Sequence, residues 1–297
     1  MDEVTPVPRD AAPQEDEGRI IRCLDRGFVR LVDVMGDDLA IVQAARVSYG
    51  HGTKSMRADR GLIHYLLKHR HTTPFEMVEF KFHAKMPIFV ARQWIRHRTA
   101  NVNEISGRYS IMEEAFWTPT PEEMRTQDTR NRQGSTATPI DPAAGAALAT
   151  RYRADQTALY THYQEALKAG VAREVARVNL PLSLYTEWYW KIDLHNLLHF
   201  LKLRMDAHAQ KEIRVFAEAM AIFVRRQCPI AWEAFEEYHL QSTEFSRAEC
   251  AAIREVLARH QLVGEICRAR HAALAADGAS EKTVERECAE LRRKLGG

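Results

Sequence analysis

Period-two and helical patterns alternate along the first two thirds of the chain. Ile20–Leu24 and Phe28–Val34 are β-like runs flanking Asp25-Arg26-Gly27, which predicts a hairpin. Asp37 or Asp38 is placed to cap a helix reaching about Val47. Leu62, Ile63, Leu66 and Leu67 recur at helical spacing, so 57–69 is expected to form an amphipathic helix. Thr73-Pro74-Phe75-Glu76 carries the cap, first-turn proline and acid of a helix start. Yet Val78, Phe80, Phe82 and Ala84 then alternate with Glu79, Lys81, His83 and Lys85. Period two persists longer, which predicts a short turn feeding a strand.

Pro87 is expected to open a helix running to about Arg96. Residues 118–144 are rich in Thr, Pro, Gln and Asn and read as a long mobile loop. A helix over about 142–169, strand-like material at 178–192 and helices near 194–204 and 208–227 follow. Residues 242–297 are rich in Ala, Glu and Arg and read as a helical extension broken at Ala275 to Gly278. The Pro-, Asp- and Glu-rich residues 1–18 have little to bury and are expected to be a disordered arm.

Composition narrows the function classes. The chain has 297 residues, 45% hydrophobic and 28% charged, which is ordinary for a globular protein. A formal net charge of +2 does not argue for nucleic acid, so any basic function must be local. The five cysteines are scattered and lack CxxC spacing, which points to free thiols in a reducing compartment. No apolar leader or membrane-length run is present, and the expected location is the cytoplasm.

Local basic chemistry is concentrated at residues 96–110, RHRTANVNEISGRYS. Arg96 and Arg98 flank His97, and Glu104, Ser106, Gly107 and Arg108 follow. Guanidinium groups make paired, charge-assisted bonds to phosphate, while glycine lets backbone approach a ligand closely. Trp94, Ile95, Ile105 and Tyr109 would hold the stretch against a core. On these residues alone, an anion site and a solvated basic loop are about equally supported.

RHR, seven residues and then Ser resembles the signature of the flavin-dependent thymidylate synthases, and NEISGRYS continues that pattern. So do segments 32–48, 71–98, 171–190 and 193–213, in order. The resemblance covers about residues 19–240, with a break near 120–145. It implies reductive methylation of dUMP to dTMP with FAD, NADPH as reductant and methylenetetrahydrofolate as one-carbon donor. It also implies a homotetramer whose sites are shared between subunits, with no nucleic-acid or membrane partner.

Residue by residue, the resemblance assigns dUMP to Gln93, Trp94, Ile95, Arg96, Glu104, Ile105, Ser106, Gly107, Arg108, Arg177 and Arg204. It assigns FAD to Thr73, Arg96, His97, Arg98, Glu104, Asp193, Leu194, His195 and His199. Arg204 is the expected catalytic residue, favouring the ionised form of the pyrimidine N3. His71 and Glu76 lie beside Thr73 and are candidates for the same pocket. From their apolar neighbours alone, Arg177 and Arg204 read equally well as structural partners of carboxylates.

Other chemistry is less well supported. His195 and His199 have an i, i+4 spacing that suits zinc, but neither HExxH nor a cysteine pair supplies further ligands, so no metal is expected. Cys228 before Pro229 reads as a small buried residue, and Ser106 as a hydrogen-bonding group without an activating base. Two rivals stand beside the synthase reading: a nucleic-acid module using arginines with aromatics, and a zinc hydrolase built on His195 and His199. The expected fold is α+β, a largely antiparallel sheet flanked by helices. It comprises one domain over 19–241 with a helical C-terminal extension over 242–297.

Overall fold

A computed structural model describes residues 19–47, 56–129 and 134–296. The expected arm at 1–18 lies outside the described residues. Its elements in chain order begin with β1 (Ile20–Cys23), β2 (Gly27–Met35), α1 (Asp38–Val47), α2 (Met56–Lys68), β3 (Glu79–Pro87), α3 (Ile88–Trp94) and β4 (Asn101–Glu104). A small hairpin, β5 (Arg125–Gln127) and β6 (Ser135–Pro139), precedes α4 (Pro142–Lys168) and the short α5 (Arg173–Ala176). Then come β7 (Tyr185–Asp193), α6 (Leu194–Arg204), α7 (Lys211–Gln227), α8 (Pro229–Phe235), α9 (Arg247–Arg259), α10 (Val263–Ala276) and α11 (Glu281–Lys294).

Five strands make one antiparallel sheet in the order β1-β2-β3-β7-β4, so the fold is α+β. Alternation decides which face is buried. Phe80 and Phe82 on β3 and Trp188 and Trp190 on β7 point into the core, with Phe82 opposite Trp190. Trp94 of α3 meets both tryptophans edge-on at 5.2 Å, and Phe200 of α6 and Phe223 of α7 complete the aromatic layer. The other face carries the intervening polar residues, with Lys191 bonded to Glu79 at 2.6 Å and His83 to Glu187 at 2.5 Å.

Gly27, where β1 turns into β2, has no room for a side chain. An added Cβ would sit 2.6 Å from the Cys23 carbonyl and 2.8 Å from that of Lys85. The two candidate caps of α1 divide their work. Asp37 accepts from the Leu39 amide at 2.9 Å, whereas Asp38 accepts from Ile230 and Ala231 and thereby caps α8. Burial raises the Asp38 pKa, opposed by those amide bonds.

Four expectations change in detail. Segment 118–144 contains a capped 3-10 turn at Pro121–Glu123 and the β5–β6 hairpin. Strand β7 starts at Tyr185, because 173–179 form helical turns ahead of Pro181. Helix α7 begins at Lys211, after an Asp206 turn that accepts from the His208 amide at 2.8 Å. The extension holds three helices, since Gln261 at φ +53° adds a break before the one at Gly278, φ +72°.

The chain divides into two compact units, Met1–Leu240 and Gln241–Gly297. In the second, Ser246 and Glu249 form a capping box for α9, and Val284 and Cys267 are buried. No helix among the described residues is long and apolar enough to cross a membrane.

Candidate active site

Helix α3 starts at Ile88, just after its N-cap Pro87, and buries Val90, Ala91 and Trp94, so its register sends Gln93 and the following turn outward. There the Arg-His-Arg cluster meets the far end of α6. Arg204 donates from Nε to His97 Nε2 at 3.0 Å and from Nη2 to the Gln93 carbonyl at 3.4 Å. The Gln93 amide is in turn bonded to Gln210. The His97 ring packs on Phe200, centroids 4.9 Å apart, and faces His199 at 6.1 Å.

An arginine can only donate, so His97 Nε2 is the acceptor and the ring proton belongs on Nδ1. Burial, then the nearby Arg204 charge, then His199 push the His97 pKa down to about 4. The imidazole is therefore neutral at physiological pH. Burial also draws the Arg204 pKa down. Arg204 has no carboxylate partner among the described residues, so its charge is held by neutral acceptors.

The second group lies past the sheet edge. Strand β4 is exposed at all four residues and pairs with β7, and the Ile105 amide continues the ladder to the Glu187 carbonyl at 2.9 Å. Glu104 accepts from the Thr186 hydroxyl at 2.5 Å. A tight turn follows, with Tyr109 and Ser110 amides both donating to the Ser106 carbonyl at 3.0 Å. Tyr163 and Tyr160 of α4 anchor the chain just beyond, through the Met112 amide at 3.0 Å and carbonyl at 2.9 Å.

Arg177 lies directly on this turn. A Cβ added to Gly107 would come within 2.9 Å of Arg177 Cδ and 3.0 Å of Met112 Sδ. Glycine is thus what allows the guanidinium stem to lie over the backbone. Arg108 pairs with Glu174 at 3.1 Å, both side chains more than half exposed, and Arg173 donates to the Tyr109 carbonyl at 2.7 Å. The side chains of Arg96, Arg98 and Arg177 have no hydrogen-bond or ion-pair partner among the described residues. An uncommitted Arg177 guanidinium on a glycine turn makes a better anion site than a solvated basic stretch.

The remaining candidates gather at the other end of α6. Asp193 caps that helix, accepting from Asn196 at 2.9 Å, and the Leu194 amide donates to the Val78 carbonyl at 2.7 Å. This bond ties the turn carrying Thr73 to the start of α6, with Thr73 itself exposed. His195 and His199 are at least partly exposed along α6, and His71 stacks on Tyr65. No hydrogen bond joins Thr73, His195 and Arg177 to one another among the described residues.

Two candidate side chains point away from any ligand. The Trp94 indole and the Leu194 side chain are both 0% exposed in the aromatic core. Neither residue presents exposed surface to a ligand in this structure. Among the described residues, no group of three His, Cys, Asp or Glu side chains is placed to hold a metal ion. Burial lifts the thiol pKa of Cys23 to about 12 and raises that of Cys228 as well. Gln210, Glu174 and Thr186 lie outside the candidate set, yet each touches a member of it. Of these, only Thr186 left a trace in the sequence, as a polar residue in line with the inward-facing Trp188 and Trp190.

Residues 30–230 match the family described as "Thymidylate synthase complementing protein". A flavin-dependent thymidylate synthase of Thermus thermophilus is 60% identical over 237 residues, covering 80% of this chain and 86% of that protein. One of Wolbachia pipientis wMel is 56% identical over 236 residues, covering 80% and 83%. Among solved structures, the UMP/dUMP methylase PolB of Streptomyces cacaoi bound with 5-Br dUMP aligns with a TM-score of 0.66. It is 32% identical and covers 74% of this chain and 99% of that one.

Proposed function

Given that the chain belongs to the thymidylate synthase complementing protein family, whose members include the flavin-dependent thymidylate synthases, we propose that it methylates dUMP reductively to dTMP. Methylenetetrahydrofolate is the one-carbon donor and NADPH the reductant. Once reduced by NADPH, bound FAD would supply the hydride that the reductive methylation needs, so the chain's own task is binding, orientation and electrostatics. The single observation that carries the reading is the Arg177 guanidinium, unpaired among the described residues and lying on a glycine turn that a Cβ would fill.

The donor set fits both nucleotides. Arg177, Arg108, Ser106 and the backbone at Gly107 would hold the dUMP phosphate, with Arg108 exchanging an exposed ion pair that costs little to break. Gln93 and Arg204 would face the pyrimidine. Because neutral groups anchor Arg204, its charge is available to favour an ionised N3. Arg96, His97 and Arg98 would take the flavin nucleotide together with Thr73, Asp193, His195 and His199, and Glu104 would touch both ligands. Ser106 would act by hydrogen bonding, since no histidine bonds its hydroxyl among the described residues.

We further propose, on the family resemblance, that one pocket draws on several protomers of a homotetramer, Thr73 of one protomer serving a pocket that contains Arg204 of another. The protein's visible spectrum tests the reading. A bound yellow chromophore that NADPH bleaches is expected. A colourless protein that takes up no FAD would contradict it.

A further inference from the structure

Strand β7 turns Thr186, Trp188, Trp190 and Ile192 toward the interior, each no more than 2% exposed. Three of the four are large apolar residues, as the buried face of a half-solvated sheet requires. Thr186 breaks the series. A buried hydroxyl without a partner is costly, and a strand offers it no neighbouring helical carbonyl to bond. Its partner is Glu104, an exposed residue on the edge strand β4, at 2.5 Å. A carboxylate can only accept, so the direction of this bond is fixed: Thr186 donates to Oε1.

We propose that Thr186 is a positioning residue for Glu104: it holds Oε1 from inside the sheet, so that Oε2 is presented to the nucleotide in one orientation. This inference rests on the dUMP reading above. Edge-strand side chains otherwise sample several rotamers, and fixing one before binding removes that entropic cost from the ligand. The buried hydroxyl is the means of fixing it. The neighbouring Glu187 is turned to the opposite face and bonded to His83, so it does not compete for the hydroxyl.

The test is a double-mutant cycle on the flavin-loaded protein, with dUMP affinity measured by titration. Thr186→Val keeps the shape and removes the hydroxyl; dUMP affinity is expected to fall by about three- to thirtyfold with flavin content unchanged. Thr186→Ser restores the donor and is expected to stay within about twofold of wild type. In a Glu104→Gln background the Val substitution should add little, because the two groups act as one unit. If the valine methyl disturbs packing, Thr186→Ala gives the same readout without added bulk. Unchanged affinity in the Val and Ala variants, or effects that add fully to Glu104→Gln, would overturn the proposal. Wild-type protein that loads flavin but binds no dUMP would overturn the functional reading itself, and with it this role.

Discussion

His97 accepts the Nε–H of Arg204 at 3.0 Å, so an imidazole occupies the place a carboxylate usually takes beside an arginine. A carboxylate there would neutralise the guanidinium, whereas a neutral ring orients it and leaves its charge intact. That choice works only while His97 is unprotonated. Its pKa is depressed to about 4 from 6.5, first by burial and then by Arg204 and His199.

The sign of the resulting pH dependence follows from proton uptake. Between these two values the unfolded chain binds the proton and the folded chain does not. Stability tied to neutral His97 is complete above about 6.5 and is lost as pH falls toward about 4. An NMR titration of the His97 ring is expected to give a midpoint near 4, and His97→Gln should flatten part of the fall in thermal midpoint across that window. A His97 midpoint at or above 6.5 would remove the neutral-acceptor role.

Gly107→Ala should imitate the loss of an arginine. The new Cβ would press on Arg177 Cδ and Met112 Sδ, both parts of flexible side chains, so the fold survives while Arg177 is displaced. Arg177→Ala and Arg108→Ala are each expected to weaken dUMP binding about ten- to hundredfold, as for a lost hydrogen bond to a charged partner, with FAD binding much less affected. Gly107→Ala should fall in the same range. Titration of dUMP into the three flavin-loaded variants decides it, and wild-type affinity in all three would take this turn out of the site.

The sequence was most legible where packing imposes a period. Alternation on β3 placed Phe80 and Phe82 inside, and helical spacing placed Leu66 and Leu67. Strand β4 was not legible: Asn101-Val102-Asn103-Glu104 has no buried face, and it is a strand only because β7 offers a free edge. The β5–β6 hairpin was hidden for a related reason. Its stabilising contacts are threonine hydroxyls such as Thr126 with Thr136 at 2.6 Å, which carry no apolar signal. Within the site, motif resemblance named Trp94 and Leu194, and the structure places both residues wholly in the core. Gln210 and Glu174 were out of reach, since tertiary contacts alone bring them to Gln93 and Arg108.

No cysteine is expected to act as a nucleophile. Cys228 is fully buried where α7 meets α8, and burial raises its pKa, so little thiolate is present at neutral pH. Cys228→Ala protein that loads flavin should retain its turnover apart from losses that a melting curve explains. A folded, flavin-bound variant forming no dTMP would refute this.

The extension is expected to be dispensable for chemistry. It lies beyond the family match at 30–230, and the main unit closes its own core with Tyr238 and Leu240. Protein truncated after Leu240 should bind flavin and form dTMP at close to the full-length rate. Loss of both in a well-folded truncated protein would give the extension a part in the site.

The most direct measurement is product formation from defined components. Purified protein, FAD, dUMP, methylenetetrahydrofolate and NADPH are incubated without oxygen, and the nucleotides are separated and weighed by mass spectrometry. Conversion of dUMP to a species 14 mass units heavier that co-elutes with dTMP is expected. That conversion should stop when the folate or the reductant is omitted, and in Arg204→Ala protein that still binds flavin. Unchanged dUMP in the complete mixture, with protein shown to hold reducible flavin, would contradict thymidylate synthesis as the function of this chain.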